Sequence, residues 1–251
     1  QPMTPPPARR LIPLLVAALA SVALVSVVPL ASASDAPTPV RWVAQVGTYD
    51  YLVQPDYDGL APLRAVVGDS TIGLGTFDRL DGELVMIGGT IYRVGTDGVP
   101  RKASLSRSTP WFEGVRFTPQ ASMRLDEGTE CSALVPLIDQ LATTGEGMVA
   151  VRLIGTFNTL TARSVPAQTQ PYPPLAEVVA EQTVFPLQNV TATLVGFRTG
   201  SDLLGIGAPG LHLHGLTKAR DAGGHILGCT TGANVRLTIH RTRGVKVLAA
   251  P

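Results

Sequence analysis

Ser70-Thr71-Ile72-Gly73-Leu74-Gly75-Thr76-Phe77, then Leu80-Asp81-Gly82-Glu83-Leu84-Val85-Met86-Ile87, then Thr90-Ile91-Tyr92-Arg93-Val94 follow one another as three strand-like segments. Asp81-Gly82 is a tight-turn dipeptide feeding the second segment. Gly88-Gly89 turns the chain into the third, and Thr96-Asp97-Gly98 ends it. The stretch therefore reads as a β-meander. Upstream, Val40 to Thr48 alternates as a strand does, and Tyr49 to Gly59 reads as a loop rich in Tyr, Asp and Gly. Downstream, Glu127 to Thr144 holds the best helical candidate, with Leu134, Val135, Leu137, Ile138 and Leu141 on one face and Gly145-Glu146-Gly147 closing it. A strand is expected from Met148 to Ile154, then Gly155-Thr156-Phe157, then a second strand-like segment from Leu160 to Val165. Pro166 to Pro174 is a rigid connection and Leu175 to Gln182 a short helix. Strands resume at Val190 to Phe197, Gly210 to Leu216, Gly224 to Leu227 and Asn234 to Ile239.

Composition agrees with that reading. The 251 residues are 45% hydrophobic and 16% charged, enough to bury a large core. Aromatic content is 5% while Gly (26) and Pro (21) are abundant, which favours short strands and turns over long helices. Twenty Lys and Arg balance nineteen Asp and Glu, for a net charge of +1, and no basic cluster stands clear of acidic neighbours. Nucleic acid is excluded as an expected partner.

Arg9-Arg10, the apolar run Leu11 to Leu30 and the small residues Ala31-Ser32-Ala33-Ser34 have the layout of a secretory leader, residues 1–33, cleaved after Ala33. The same run is long enough to serve as a membrane anchor if retained, though Pro13 and Pro29 weaken that alternative. An exported, periplasmic or extracellular protein is expected. Cys131 and Cys229 are the only cysteines, so a disulfide and two free thiols both stay open, and a Cys-rich zinc site is excluded. The remaining chain divides near Gly147 into a β-rich segment with one helix, residues 36–147, and a β segment, residues 148–251.

The chemistry gathers in that second segment. Of four histidines, His212, His214 and His225 fall close together on either side of a turn. In Leu211-His212-Leu213-His214 the strand period of two puts both imidazoles on one face. Lys218 to Gly224 can reverse the chain and bring His225 beside them on the next strand. Three neutral imidazoles on a rigid hairpin suit Zn2+ and leave coordination positions open. An isolated His-x-His also suits a solvated sheet face, and His225 a turn; the third histidine across a hairpin favours the metal. His240 reads as an ordinary polar strand residue.

Leu211-His212-Leu213-His214-Gly215-Leu216-Thr217 followed by Gly223-Gly224-His225-Ile226-Leu227 resembles the metal-binding segment of the acetolactate decarboxylases. The resemblance continues in order through Gly75-Thr76-Phe77 with Leu80 to Val85, Thr109-Pro110 with Phe117, Gly155-Thr156-Phe157, Thr161 to Pro166, Pro171 to Leu175, and Gly196-Phe197-Arg198-Thr199. It implies an α+β, strand-rich, two-domain fold of mixed or antiparallel sheets with a barrel-like part and few helices. It also implies a homodimer, a zinc ion on His212, His214 and His225, and Glu83, Thr76 and Arg163 lining the site. By residue type alone Glu83 and Arg163 would face solvent; the resemblance reverses that expectation.

The implied reaction converts (S)-2-acetolactate to (R)-acetoin and carbon dioxide through a metal-stabilised enediolate. Zinc on the ketone and hydroxyl oxygens stabilises the charge left when carbon dioxide departs. Arg163 suits the substrate carboxylate, and Glu83 is the candidate proton donor that fixes the acetoin stereochemistry. One departure stands out: the resemblance implies a second glutamate from the C-terminal tail near the metal, whereas no acidic residue follows Asp221. A tail beyond this sequence, a substitute carboxylate and a site that works without one remain open. Another zinc lyase or hydrolase, or a catalytically inactive or repurposed zinc-binding protein of the same fold, are the competing functions.

Overall fold

A computed structural model describes residues 41–249; the predicted leader, residues 1–33, lies outside the described residues. The strands are β1 (Trp42–Val46), β2 (Ala61–Pro62), β3 (Ile72–Thr76), β4 (Glu83–Ile87), β5 (Thr90–Val94), β6 (Pro100–Lys102), β7 (Ser108–Thr109), β8 (Phe112–Val115), β9 (Ala121–Arg124), β10 (Met148–Ser164), β11 (Thr183–Thr199), β12 (Gly210–Thr217), β13 (Gly223–Thr231), β14 (Arg236–Arg241) and β15 (Gly244–Ala249). The helices are short: α1 (Tyr49–Leu52), α2 (Leu63–Val66), α3 (Leu134–Ala142) and α4 (Leu175–Ala180). This is the strand-rich α+β class the sequence leads one to expect.

One sheet has seven strands in the order β15-β1-β8-β3-β4-β5-β6, and the other has six, β11-β12-β13-β10-β14-β9. All pairings are antiparallel except β1 with β15, so the first sheet is mixed. In the second, β11 also pairs with β10 along nearly its whole length, so β10, β11, β12 and β13 close on themselves as a barrel-like ring. The point near Gly147 falls between α3 and β10, and pairing crosses it both ways, β9 with β14 and β1 with β15. The interior between the sheets takes Val43, Leu74, Val85 and Trp111 from the first and Ala150, Val195, Phe197 and Leu216 from the second. The other face of the second sheet is covered by α3 through Leu134, Ile138 and Ala142.

The meander forms as read. Thr76 lies opposite Glu83 and Glu83 opposite Val94, and the β4–β5 turn uses Gly88 and Gly89 at φ 60° and 79°, which other residues adopt only with strain. The β3–β4 connection is longer than the Asp81-Gly82 dipeptide alone would make it, because a 3-10 turn at Asp78–Leu80 precedes it. Elsewhere the structure corrects the reading. Gly155 does not interrupt a strand: β10 runs unbroken from Met148 to Ser164. A Cβ at Gly155 would meet the Val235 Cα at 2.5 Å, so this glycine serves a close approach of chains rather than a break. Tyr49–Leu52 is a helical turn, N-capped by the Thr48 side chain, where a loop was expected.

Cys131 and Cys229 are joined by a disulfide that closes 98 residues of sequence and ties the turn before α3 to β13. Cross-linking so long a loop restricts the unfolded chain. Replacing both cysteines by serine is expected to cost about 2–5 kcal/mol of unfolding free energy, read from urea denaturation under non-reducing conditions. An unchanged midpoint would mean that the bond contributes nothing in solution.

Candidate active site

The site is built on the β12–β13 hairpin. Alternation sends Leu213 into the core under α3 while His212 and His214 face the other way. His214 lies directly opposite His225, and Arg163 of β10 lies opposite His225 on its other side. The hairpin loop is held by Thr217 Oγ1, which donates to the Asp221 carboxylate at 2.6 Å and accepts from the Asp221 and Ala222 amides at 3.2 Å. Gly224, at φ 136°, lets β13 press on β10: a Cβ there would lie 2.3 Å from the Arg163 carbonyl oxygen.

Three ring nitrogens converge. His225 Nδ1 is 2.9 Å from His212 Nε2 and 3.3 Å from His214 Nε2. His214 Nδ1 donates to the Leu84 carbonyl at 2.8 Å, which fixes the tautomer and leaves Nε2 as a lone pair facing the cluster. Burial, with Arg163 adding to it, pushes the His212 imidazole down to about 3. Burial and the neighbouring rings hold His214 and His225 well below the usual imidazole range. All three are thus held toward the neutral form, in which an imidazole has one lone pair to offer, and a cation placed among the three converging nitrogens would take a lone pair from each. Among the described residues this is the one such cluster, its ligand atoms all within 4.8 Å of one another.

Glu83 and Arg163 stand beside it. Glu83, 4% exposed, takes a hydrogen bond from Arg163 Nη1 at 2.7 Å on Oε1 and has Oε2 3.5 Å from His214 Nε2. Burial pushes its carboxyl up, and Arg163 opposes that only in part. Thr76, across the β3–β4 pair, donates its hydroxyl to the Gly82 carbonyl at 2.8 Å, which leaves the oxygen able to accept. All six residues line one cavity of about 300 Å3, whose lining also includes the apolar Leu80, Val165, Leu175 and Leu211. Glu83 is its only carboxylate among the described residues.

The sequence reading passed over Trp111, which stacks on the His212 ring with centroids 5.2 Å apart and planes 15° from parallel. It sits between the matched Thr109-Pro110 and Phe117, but nothing in its type announces a stack on a histidine of the other sheet. His240 stays apart, buried on β14 with Nδ1 donating to the Thr118 carbonyl at 2.8 Å.

Comparison with known proteins bears on this geometry. A profile of the alpha-acetolactate decarboxylase family matches residues 43–250. The alpha-acetolactate decarboxylase of Methanosarcina mazei is 39% identical over 183 residues, covering 73% of this chain and 64% of that protein. The match thus spans just under two thirds of that relative's length. The alpha-acetolactate decarboxylase of Bacillus subtilis is 32% identical over 188 residues, 75% of this chain and 74% of that one. The crystal structure of the enzyme from Bacillus subtilis strain 168 superposes with a TM-score of 0.79 at 30% identity, over 84% of this chain and 89% of that one. The histidine hairpin and the meander facing it lie inside the matched span, on the same fold: the chain belongs to the alpha-acetolactate decarboxylase family.

Proposed function

We propose that this protein decarboxylates (S)-2-acetolactate to (R)-acetoin and carbon dioxide, with zinc held by His212, His214 and His225. The observation that carries the reading is the buried Glu83–Arg163 pair set against three convergent imidazole nitrogens in one small cavity. The donor set fits zinc. Imidazole nitrogens ~2.0–2.1 Å from a tetrahedral zinc lie roughly 3.3 Å from one another, and two of the separations here are 2.9 and 3.3 Å. Zinc in that position would supply Lewis acidity toward the substrate's oxygens.

The chain's own groups do the rest. Arg163 presents a guanidinium held in place by Glu83, matched to a carboxylate's two oxygens. As carbon dioxide leaves, the electron pair of the broken bond stays on the substrate carbon and spreads into the adjacent ketone. Glu83, whose carboxyl burial pushes up toward its protonated form, gives a proton to that carbon from one side and is reprotonated from solvent. Export is part of the proposal, supported by the Cys131–Cys229 disulfide, a bond that persists in oxidising compartments.

The test is acetoin formation from racemic 2-acetolactate by the purified protein, with a chelator and with zinc restored. One acetoin enantiomer, lost with chelator and regained with zinc, is the expected outcome. A folded, zinc-loaded protein that makes no acetoin would overturn it in favour of an inactive or repurposed metal-binding protein.

A further inference from the structure

Outside the cavity, Glu113 on β8 is fully buried, and neither of its carboxyl oxygens has a hydrogen-bond partner. An ionised carboxylate in that position would lose its hydration with nothing in return. Its cross-strand partners are Gln45 on β1 and Leu74 on β3, all three pointing into the interior between the sheets. Gln45 is equally buried, and its amide nitrogen donates to the Gly47 carbonyl at 2.9 Å and the Ile206 carbonyl at 2.6 Å. Those two bonds decide which end of the amide is nitrogen, and they leave Gln45 Oε1 buried with no donor. Two neighbouring side chains therefore present acceptors only. A single proton on the carboxyl turns the mismatch into a hydrogen bond.

We propose that Glu113 is a neutral carboxylic acid in the folded protein, donating its proton to Gln45 Oε1 and so holding the amide that ties Gly47 and Ile206 to β1. Burial alone pushes this carboxyl up to about 8, with no charged group contributing. Gln45 and Leu74 are the side chains beside it on the adjoining strands, and neither titrates. From the opposite sheet the same interior receives Met148, Ala150, Val195 and Phe197, all apolar. The pairing bears on the site because the Ile206 carbonyl also accepts from the Tyr49 amide at 2.9 Å, and Tyr49 and Ala208 line the cavity. Glu113 is thus a positioning residue for that wall, acting through Gln45, and its protonation does not depend on which reaction the cavity performs.

Linkage gives the test its sign. In the unfolded chain the carboxyl ionises in the ordinary range, whereas in the folded chain it stays protonated to about pH 8. Its contribution to stability is complete below the ordinary range and is lost as pH rises toward 8, because the folded state binds one proton more throughout that window. Urea melts of the full chain across this window compare wild type with Glu113→Gln, which keeps a donor for Gln45 and cannot ionise. The unfolding constant of wild type divided by that of the variant is expected to rise about tenfold per pH unit from about pH 5 to 8 and then level off. A pH-independent ratio overturns the proposal. Should Glu113→Gln not fold, the infrared spectrum of Glu83→Gln protein at pH 7 is to show a carboxylic-acid carbonyl band. Its absence is equally fatal, since Glu83 no longer contributes there.

Discussion

Replacing His214 by alanine is expected to reduce bound metal to a trace and acetoin formation by roughly a thousandfold. Of the three rings, His214 is the one whose tautomer is fixed from behind, by the Leu84 carbonyl at 2.8 Å, so its Nε2 is presented without any rearrangement. It is also the ring that joins the two sheets, since Leu84 belongs to β4 and His214 to β12. Alanine removes a ligand and leaves that carbonyl without its donor. The metal's Lewis acidity is worth several kcal/mol of transition-state stabilisation, and about 1.36 kcal/mol corresponds to each tenfold in rate, which gives the expected size. Metal content per chain and the rate of acetoin release, measured on the same preparation, check it. A variant that keeps one metal per chain and the wild-type rate would remove His214 from the ligand set.

What the sequence made legible, and what it hid, follows from the range of the forces involved. The meander and the histidine hairpin are local: two-residue periodicity and glycine turns place His212, His214 and His225 together within one β-hairpin, and the structure brings them together as read. Glu83 and Arg163 are not local. They meet from strands 80 residues apart, and by type each belongs at the surface; only the resemblance to a family placed them in the site. The helical candidate placed within Glu127 to Thr144 forms as α3, Leu134–Ala142, which holds every residue of the expected apolar face, while the start of that stretch carries Cys131 to its disulfide. Strand β15 was missed altogether. Its value lies in a parallel pairing with β1 at the other end of the chain, and no periodicity within Gly244–Ala249 reports that. Trp111 and Glu113 show the same limit from the other side, since each acts through a neighbour that only folding supplies.

Glu83→Gln is expected to lower turnover by roughly 100- to 10,000-fold with little change in KM. Glutamine keeps the shape and an oxygen that can accept from Arg163, so the guanidinium stays where Glu83 Oε1 now holds it, 2.7 Å away. What the variant lacks is a proton to give. Burial favours the protonated form of Glu83 in the wild type, and no second carboxylate among the described cavity residues can stand in for it. Whatever acetoin still forms must then take its proton from water, which reaches the reacting carbon without a fixed side. The residual product is therefore expected to lose enantiomeric purity, and chiral chromatography of acetoin made by wild type and variant reads this directly. A slow variant that still gives a single enantiomer would move the proton transfer to another group and leave Glu83 the task of orienting Arg163. A fast variant would remove it from the chemistry. The stereochemical readout separates these cases where a rate alone would not, because a purely structural defect slows both faces of protonation alike.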